Sequence, residues 1–337
     1  MLELPQEIST FEERLADLDR LARQWRCLYP KDSAMRLAQQ SYDEDFLVRM
    51  AYNSNAIEGS TLTLADTEII YEGEFVEGKP GREQIAARGI FEGAAYADEL
   101  VINGIPLGEA QLRDLHERCA LDLQPAARGM YRSAPAIIRA SRTVPTSPAK
   151  VRDEVTNLFF RSTELRTDTH PLLIIPWFHA CLENIHPFAD GNGRTGRLWM
   201  NAQLRTCAYP PVSIKVDHSA EYKGSLEAWQ VDGDATAFMD LFLDCLHEEL
   251  EKRIAFLLQG APDEGPYPFD VKRGEEMLGI LYYQPASTAS SLAQIMGLSS
   301  RQVQRILREL REGGFIEHVG SDRKGKWLLR STSEIKW

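Results

Sequence analysis

The stretch His186-Pro-Phe-Ala-Asp-Gly-Asn-Gly-Arg-Thr-Gly-Arg197 decides how this chain is interpreted. The spacing of apolar residues predicts a helix that ends just before this stretch and another that begins near Arg194. Gly191 and Gly193 have no Cβ, so their backbone N–H groups can approach an anion closely, and the dipole of the second helix favours negative charge there. Arg194 and Arg197 lie three residues apart and share one face of that helix. Two guanidiniums, free N–H groups and a helix N-terminus together predict a polyphosphate site.

The same stretch supplies two groups suited to chemistry on a phosphate. Asp190 offers hard oxygen ligands of the kind that bind Mg²⁺ together with substrate phosphates. His186 titrates near neutrality and can take a proton from a hydroxyl nucleophile. A Gly-Asn-Gly turn with surface arginines is, by itself, typical of an ordinary connection between helices. The full combination instead favours metal-assisted nucleotidyl or phosphoryl transfer.

This stretch resembles the Fic motif, HPFx(D/E)GNGRxxR, and agrees with it at each specified position. The resemblance extends over roughly residues 107–243. It implies a mainly α fold, the helical Fic core, and AMP transfer from ATP to a hydroxyl side chain of a target protein. The implied roles are His186 as general base, Asp190 as Mg²⁺ ligand, Phe188 as anchor of the loop, Gly191, Asn192 and Gly193 as the anion hole around the α- and β-phosphates, Arg194 as a phosphate contact, and Arg197 as the contact to the γ-phosphate. The kinase-like Doc branch carries lysine at the position of Gly193, so phosphorylation of the target is less expected.

A second motif, Ser54-Asn-Ala-Ile-Glu-Gly59, precedes the loop by more than a hundred residues. Ser54 and Glu58 share one face of a predicted helix, and Gly59 is a natural helix terminator. In isolation, Glu58 is typical of an ordinary surface residue. Beside the Fic motif, the segment resembles the family's inhibitory motif, (S/T)xxxE(G/N), which implies that Glu58 pairs with Arg197 and occupies the γ-phosphate position. In some relatives the same glutamate supports metal-dependent removal of AMP, so the direction of the reaction stays open.

The segment between these motifs and the helices after the loop carries further candidates. Residues 129–148 contain three prolines and short apolar runs, which predict a short hairpin or extended loop. This segment resembles the family's flap, where a target protein would add a strand over residues 130–148. Tyr222 either borders the adenine, as a tyrosine near this position does in relatives, or is a buried core residue. His179 is more typical of a hydrogen-bonded core histidine than of a metal ligand.

Composition places limits on the whole chain. The 337 residues carry a net charge of −12, which argues against a chain that coats nucleic acid or anionic membrane as a whole. Five scattered cysteines without a CxxC pair predict neither a disulfide framework nor a zinc site, and they fit a reducing cytoplasm. No signal peptide is predicted, and the most apolar stretch, residues 171–182, is too short to span a membrane.

The predicted organisation has four parts. Residues 1–106 form an N-terminal helical region with the inhibitory motif, 107–258 the Fic core, 259–269 a linker and 270–337 a compact tail. Residues 271–337 carry a net charge of +4, so the remainder carries −16. The tail is predicted to contain two helices followed by two short strands, and the second helix, over 300–311, is capped by serine. This order resembles a winged helix-turn-helix domain. Such a domain either binds DNA, with the 300–311 helix in a major groove, or mediates protein contacts.

The sequence therefore predicts an autoinhibited protein adenylyltransferase that uses ATP and Mg²⁺. A homodimer is left open. One alternative is a transcriptional regulator with a nucleotide-sensing core, although a sensor has no need of the base His186. Another alternative is a transferase that uses a different donor, such as UTP or CDP-choline, because a phosphate cradle does not distinguish the base.

Overall fold

The structure is a computed structural model that describes residues 2–5, 8–30, 33–259, 273–321 and 325–330. Almost all of the predicted linker, 259–269, lies outside the described residues. The described residues form thirteen α-helices and one two-stranded antiparallel sheet. The helices are α1 (Glu12–Cys27), α2 (Ser33–Ile57), α3 (Leu64–Tyr71), α4 (Gly81–Ile102), α5 (Glu109–Cys119), α6 (Val151–Leu165), α7 (Pro171–Ile185), α8 (Asn192–Thr206), α9 (Ser219–Glu227), α10 (Thr236–Gln259), α11 (Arg273–Tyr283), α12 (Ala289–Met296) and α13 (Ser300–Glu312). The mainly α fold expected from the sequence is confirmed.

The centre of the core is α7, which is apolar on all sides. Every residue of this helix except Pro171 and Asn184 is buried, as expected for a helix surrounded by other helices. Helices α6, α8 and α10 pack against α7, and α8 packs in turn against α4 and α5. Gly89 allows the close approach of α4 to the end of α5, because a Cβ at that position would overlap the carbonyl of Cys119. The loop that joins α7 to α8 is therefore anchored at both ends in the core.

Helix α2 carries the inhibitory motif to the edge of this core. Its hydrogen-bonded part ends at Ile57, and Gly59 follows with a φ of +94°, so Gly59 terminates the helix as predicted. The Nζ of Lys223 donates to the carbonyl of Ile57 over 2.7 Å, which places a cation at the negative end of α2. Ser54 and Glu58 thus lie at the C-terminal end of a long helix. This helix starts at Ser33, whereas the apolar spacing predicts a start ten residues later.

The tail contains α11 to α13 and strands β1 (Ile316–Val319) and β2 (Lys326–Leu329). The strands pair in antiparallel register from Ile316↔Leu329 to Val319↔Lys326. Helix α13 begins with a capping box between Ser299 and Gln302, as expected from the serine at its start. The order of helices and strands matches the expected tail, and the assignment to the winged-helix family stays a prediction.

Helix α11 attaches the tail to the body by packing on α1. Gly279 makes close contact with α1, since a Cβ there would overlap the carbonyl of Arg26. Nη2 of Arg26 bonds to Oε1 of Glu276 over 2.7 Å, and both side chains are at most 5% exposed. A buried ion pair of this kind is costly to break, so the tail is a fixed part of the described structure.

The predicted flap differs from one of its two interpretations. Residues 129–148 are all described and contain no strand, so the hairpin is wrong and the extended loop describes this segment. Their single β-type contact is an isolated antiparallel bridge from Tyr131 to Phe188. The physical reason is the prolines at 135, 145 and 148, which cannot donate to a strand ladder.

In the part of the chain that the structure describes, no helix combines the length and the apolar character needed to cross a membrane.

Candidate functional site

The loop between α7 and α8 is shaped by two left-handed residues. His186 ends α7 with φ 51° and ψ 60°, a conformation that residues other than glycine seldom adopt. Gly191 precedes α8 with φ 78°, where the missing Cβ removes the steric cost. The chain reverses twice within six residues, and the loop lies across the N-terminus of α8.

The side chain of Asn192 closes this loop on itself. Its Oδ1 accepts from the N–H of Phe188 over 2.8 Å, and its Nδ2 donates to the carbonyl of Phe188 over 2.9 Å. Phe188 is 1% exposed and anchors the loop in the core, as the motif implies. The side chain of Asn192 thus holds the loop in shape, and only its backbone N–H stays available for the predicted anion site.

One residue outside the motif, His116, fixes the loop from α5. The imidazole of His116 stacks on Phe188 with ring centroids 3.7 Å apart. Its Nδ1 accepts from the N–H of Gly129 over 2.8 Å, so its Nε2 carries the proton and donates to the carbonyl of Asp190 over 2.9 Å. Burial lowers the pKa of His116 to about 4, which keeps the ring neutral and this pattern of bonds intact at neutral pH.

Arg132 fixes the loop from the side of the flap. Its Nε donates to the carbonyl of His186 over 2.7 Å, and its backbone N–H donates to the carbonyl of Pro187 over 2.9 Å. Further bonds from its guanidinium reach the carbonyls of Ala134 and Thr146 in the flap. Arg132 is 6% exposed, so its charged group is buried among carbonyl oxygens and joins the flap to the loop between α7 and α8.

His186 retains the properties expected of a general base. Its side chain is partly buried, and this burial lowers its pKa below the ordinary value of 6.5, with Arg132 acting in the same direction. The imidazole is therefore neutral at physiological pH and able to accept a proton.

The N-terminus of α8 presents unpaired backbone N–H groups. The first internal bond of the helix runs from the N–H of Thr195 to the carbonyl of Gly191. The N–H groups of residues 192–194 accordingly have no partner within the helix. The N–H of Gly191 already donates to Oδ1 of Asp190 over 2.7 Å, so this member of the predicted anion hole is engaged by its neighbour.

A fixed carboxylate orients the first arginine of the motif. Nη1 and Nη2 of Arg194 donate to the two carboxylate oxygens of Asp122 over 2.8 and 3.2 Å. Both side chains are 5% exposed. Arg82 of α4 contacts the same Asp122 and also bonds to Oδ2 of Asp190 over 2.9 Å. In this structure the carboxylate expected to hold a metal is thus paired with an exposed arginine.

The second arginine, Arg197, is held by α2. Its Nε donates to Oγ of Ser54 over 3.0 Å, and its Nη2 donates to the carbonyl of Ser54 over 2.8 Å. The same Nη2 bonds to Oε1 of Glu58 over 2.7 Å. We call this set of contacts, made by Ser54 and Glu58 to Arg197, the latch.

The carboxylate of Glu58 lies at the anion site itself. A Cβ built on Gly193 would overlap Oε1 of Glu58, so the carboxylate sits directly against the first turn of α8. Burial raises the pKa of Glu58, but the charge and hydrogen bond of Arg197 outweigh this effect and leave the pKa below its ordinary value of 4.5. An ionised carboxylate therefore occupies the place where the sequence predicts a phosphate.

Three buried residues lie on the other side of Arg197. The hydroxyl of Tyr222 contacts Nη1 of Arg197 over 3.4 Å and Nε2 of His179 over 2.8 Å. Tyr222 is 3% exposed, and its observed position is that of a buried core residue, which is one of the two interpretations given above. His179 is 1% exposed and is the hydrogen-bonded core histidine expected from its neighbours. Desolvation raises the pKa of the buried Glu183 to about 8, so this carboxyl keeps its proton beside Arg197.

Comparison with known proteins gives one family and a consistent group of relatives. Residues 106–204 match the model of the Fic/DOC family. The chain is 28% identical over 284 residues to a protein adenylyltransferase Fic of Drosophila willistoni, a match that covers 83% of this chain and 55% of that protein. It is 27% identical over 275 residues to the protein of the same name from Culex quinquefasciatus, covering 80% and 52%. The chain thus spans about half the length of the curated relatives it matches.

Solved structures show the same fold. A Fic family protein from Desulfovibrio desulfuricans G20 aligns with a TM-score of 0.58 and 26% identity over 94% of this chain and 96% of that one. A Fic domain containing signaling protein from Bacteroides thetaiotaomicron VPI-5482 aligns with a TM-score of 0.65 and 22% identity over 73% of this chain and 99% of that one.

Proposed function

This chain carries a Fic/DOC-family domain in residues 106–204, and we propose that it is a protein adenylyltransferase that transfers AMP from ATP to a hydroxyl side chain of a target protein. One observation carries the proposal. Arg197 binds the carboxylate of Glu58, and this carboxylate lies against Gly193 in the first turn of α8. A site that accepts this anion suits the phosphates of a nucleotide. The curated relatives bear the name of this activity.

In the proposed reaction, neutral His186 takes the proton of the target's hydroxyl as that oxygen attacks the α-phosphorus of ATP. A bond forms between this oxygen and the α-phosphorus, the bond from the α-phosphorus to the bridging oxygen breaks, and pyrophosphate leaves. Arg194, oriented by Asp122, and the N–H groups of residues 192–194 stabilise the charge that develops on the phosphate oxygens. The lowered pKa of His186 keeps it in the form that can accept the proton.

The residues present fit Mg²⁺ as the cofactor. Asp190 has a side chain that is 53% exposed at the mouth of the site, and one carboxylate together with substrate phosphates is a usual set of Mg²⁺ ligands. When bound, the metal neutralises phosphate charge. Arg82 pairs with Asp190 now, and this exposed contact is cheap to exchange for a cation.

Autoinhibition follows from the latch. With Glu58 bound to Arg197, the γ-phosphate of ATP cannot bond to the guanidinium of Arg197, and the carboxylate fills the space that this phosphate would occupy. Release of Glu58 frees the guanidinium and that space. The carboxylate of Glu58 also lies close enough to the nucleotide site to serve the reverse reaction, metal-dependent removal of AMP from the target.

The target protein docks along the flap, residues 130–148, in this proposal. Ile137 and Val144 are 87% and 85% exposed there, and Arg132 links the flap to the backbone of His186. An extended segment bound along this exposed, strand-free stretch would bring its hydroxyl towards the base.

The proposal is tested by comparing wild type, Glu58→Gly and His186→Ala. Each protein receives Mg²⁺ and one labelled nucleotide at a time, and intact-mass measurement identifies the product. We expect adducts of one AMP from ATP on the Glu58→Gly protein and none on the His186→Ala protein, which lacks the base. Labelling from UTP or CDP-choline but not from ATP would replace ATP with another donor, and equal labelling of the Glu58→Gly and His186→Ala proteins would contradict the assigned roles.

For the tail we propose binding of duplex DNA as a second candidate function, with protein contacts as the alternative. Helix α13 buries Val303, Ile306 and Leu310 and exposes Arg301, Arg305 and Arg308 on its other face. A gel-shift titration tests this activity: a complex that weakens steeply with salt and is lost in Arg301→Gln/Arg305→Gln supports it. Absence of a complex at low salt favours a tail that contacts proteins.

A further inference from the structure

The end of helix α2 is held by donors from several parts of the fold. The last four carbonyl groups of an α-helix have no partner within the helix, and in α2 they belong to residues 54–57. Two of them are satisfied by the turn that follows. The carbonyl of Asn55 accepts from the N–H of Glu58 over 3.0 Å, and that of Ala56 accepts from the N–H of Gly59 over 2.9 Å. The other two need donors from outside α2.

Two cations from different helices satisfy the remaining carbonyls. Nη2 of Arg197 in α8 donates to the carbonyl of Ser54 over 2.8 Å. Nζ of Lys223 in α9 donates to the carbonyl of Ile57 over 2.7 Å. A cation at this end of a helix is also stabilised by the helix dipole. Lys223 therefore supports the last turn of α2 in the same way as Arg197, although it lies outside both motifs.

The charge of Lys223 also acts on the carboxylate of the latch. Burial raises the pKa of Glu58. The charge and hydrogen bond of Arg197, together with the charges of Arg194 and Lys223, outweigh this effect and leave the pKa below its ordinary value of 4.5. Lys223 thus favours the ionised form of Glu58, which is the form that pairs with Arg197.

Helix α9 is itself anchored beside the latch. Tyr222, the residue before Lys223, is 3% exposed. Its hydroxyl contacts Nη1 of Arg197 over 3.4 Å and Nε2 of His179 over 2.8 Å. The backbone from which the side chain of Lys223 extends is therefore fixed in the core. One short helix contacts both sides of the latch, Arg197 through Tyr222 and the end of α2 through Lys223.

We propose that Lys223 is a positioning residue of the latch: it holds the last turn of α2 where Glu58 meets Arg197, and loss of its charge opens the latch. Lys223 acts through the backbone of α2, since its ammonium bonds to a carbonyl of that helix. Lys223 is exposed, whereas Arg197 is buried, so this contact is the one that can be altered without disturbing the core. The effect on AMP transfer rests on the proposed function, whereas the effect on the position of α2 does not.

Hydrogen exchange of the full chain tests the effect on α2 without any enzymatic activity. We expect Lys223→Gln to speed exchange of the amides of residues 58–60, whose bonds close the end of α2, about threefold, the size of a charge contact at an exposed helix end. Lys223→Arg keeps a cationic donor and should restore the wild-type rate. Lys252→Gln is the matched control, because Nζ of Lys252 bonds to Glu248 within α10. Exchange in Lys223→Gln that equals that of wild type would overturn the proposal.

Nucleotide affinity tests the connection to the latch. Arg197 can bind a third phosphate only while the latch is open, so the apparent affinity for ATP rises with the open fraction. In calorimetry with Mg²⁺, Lys223→Gln should increase the preference for ATP over ADP about threefold, and Lys223→Arg and Lys252→Gln should leave it unchanged. In the Glu58→Gly background, where the latch is absent, Lys223→Gln should have no effect on this preference. A loss of ATP affinity in that background would make Lys223 a phosphate ligand and would overturn its role in the latch.

AMP transfer separates a failure of this inference from a failure of the proposed function. Lys223→Gln should transfer AMP about threefold faster than wild type, and Lys223→Arg should transfer it at the wild-type rate. If exchange and nucleotide preference change as expected while neither Lys223→Gln nor Glu58→Gly transfers AMP, the proposed function fails and the role of Lys223 stands. If Glu58→Gly transfers AMP while Lys223→Gln equals wild type in all three measurements, the role of Lys223 is wrong and the proposed function stands.

Discussion

Two arginines of one helix, three residues apart, are each held by a carboxylate, and the two pairs differ in kind. Arg194 is bound through both oxygens to Asp122, and both side chains are 5% exposed. Arg197 is bound to Glu58, whose side chain is 43% exposed and lies just beyond the end of α2. The first pair is enclosed by the fold, whereas the second is open to solvent on the side of Glu58. If the proposed autoinhibition holds, the same chemistry positions one guanidinium permanently and masks the other reversibly.

The largest expected effect concerns the enclosed pair. Asp122→Ala leaves the guanidinium of Arg194 buried without its carboxylate, which should lower the free energy of unfolding by about 3 kcal/mol. In the Glu58→Gly background it should also reduce AMP transfer, because Arg194 is no longer oriented. Urea unfolding and labelling with ATP measure the two effects. An Asp122→Ala protein as stable as wild type would show that the pair is no more than a surface contact.

The next prediction concerns the protonated carboxyl beside Arg197. The pKa of Glu183 is raised from its ordinary value of 4.5 to about 8, so the unfolded chain loses this proton at lower pH than the folded one. Stability is therefore lost as pH rises between these values. Glu183→Gln has no proton to lose, and its stability relative to wild type should increase by about 2–3 kcal/mol from pH 5 to pH 7.5.

Urea unfolding of both proteins at the two pH values measures this difference. A difference that does not vary with pH would mean that Glu183 is ionised, and Arg197 would then have a second, permanent partner. The contrast between the two arginines would be lost.

A smaller effect is expected from the latch hydroxyl. Ser54→Ala removes one acceptor of Arg197 but keeps Glu58, at a cost to the latch of about 1 kcal/mol, so AMP transfer should rise about fivefold. Ser213→Ala is the matched control, because its Oγ bonds to Asn53 of α2 and not to Arg197. A rise of equal size in both variants would attribute the effect to a general loosening of α2.

The smallest effect concerns pH. Burial lowers the pKa of His186 below 6.5, so the imidazole stays neutral until the pH falls beneath that value. AMP transfer by Glu58→Gly should be constant from pH 8 to about 6.5 and should decline only on the acid side. Initial rates across this range test it, and a midpoint above 6.5 would contradict a buried, neutral base.

The sequence anticipates the parts of the site that lie close together along the chain. His186, Asp190 and the two arginines come from one loop, and Ser54 and Glu58 from one helix face, so spacing alone relates them. Their meeting across 139 positions, Glu58 to Arg197, is implied by the family resemblance and is observed in the structure.

The residues that the sequence does not reveal act through tertiary contacts. His116, Asp122 and Arg132 are each of an ordinary type in an unremarkable stretch, and they acquire roles only when the fold places them against the loop. Residues 129–148 are only partly anticipated, because their short apolar runs are compatible with a hairpin or an extended loop and the prolines remove the donors that strands need.

The most direct test of the central claim, that Glu58 occupies the place of the γ-phosphate, is the affinity of ATP relative to ADP. Calorimetry measures this affinity in the presence of Mg²⁺ for wild type, Glu58→Gly and the control Glu74→Gly, which changes an exposed residue between α3 and α4. The account predicts that wild type and the control bind the two nucleotides almost equally, whereas Glu58→Gly prefers ATP by about tenfold, since Arg197 is free to bind the third phosphate. The same ratio in all three proteins would contradict it.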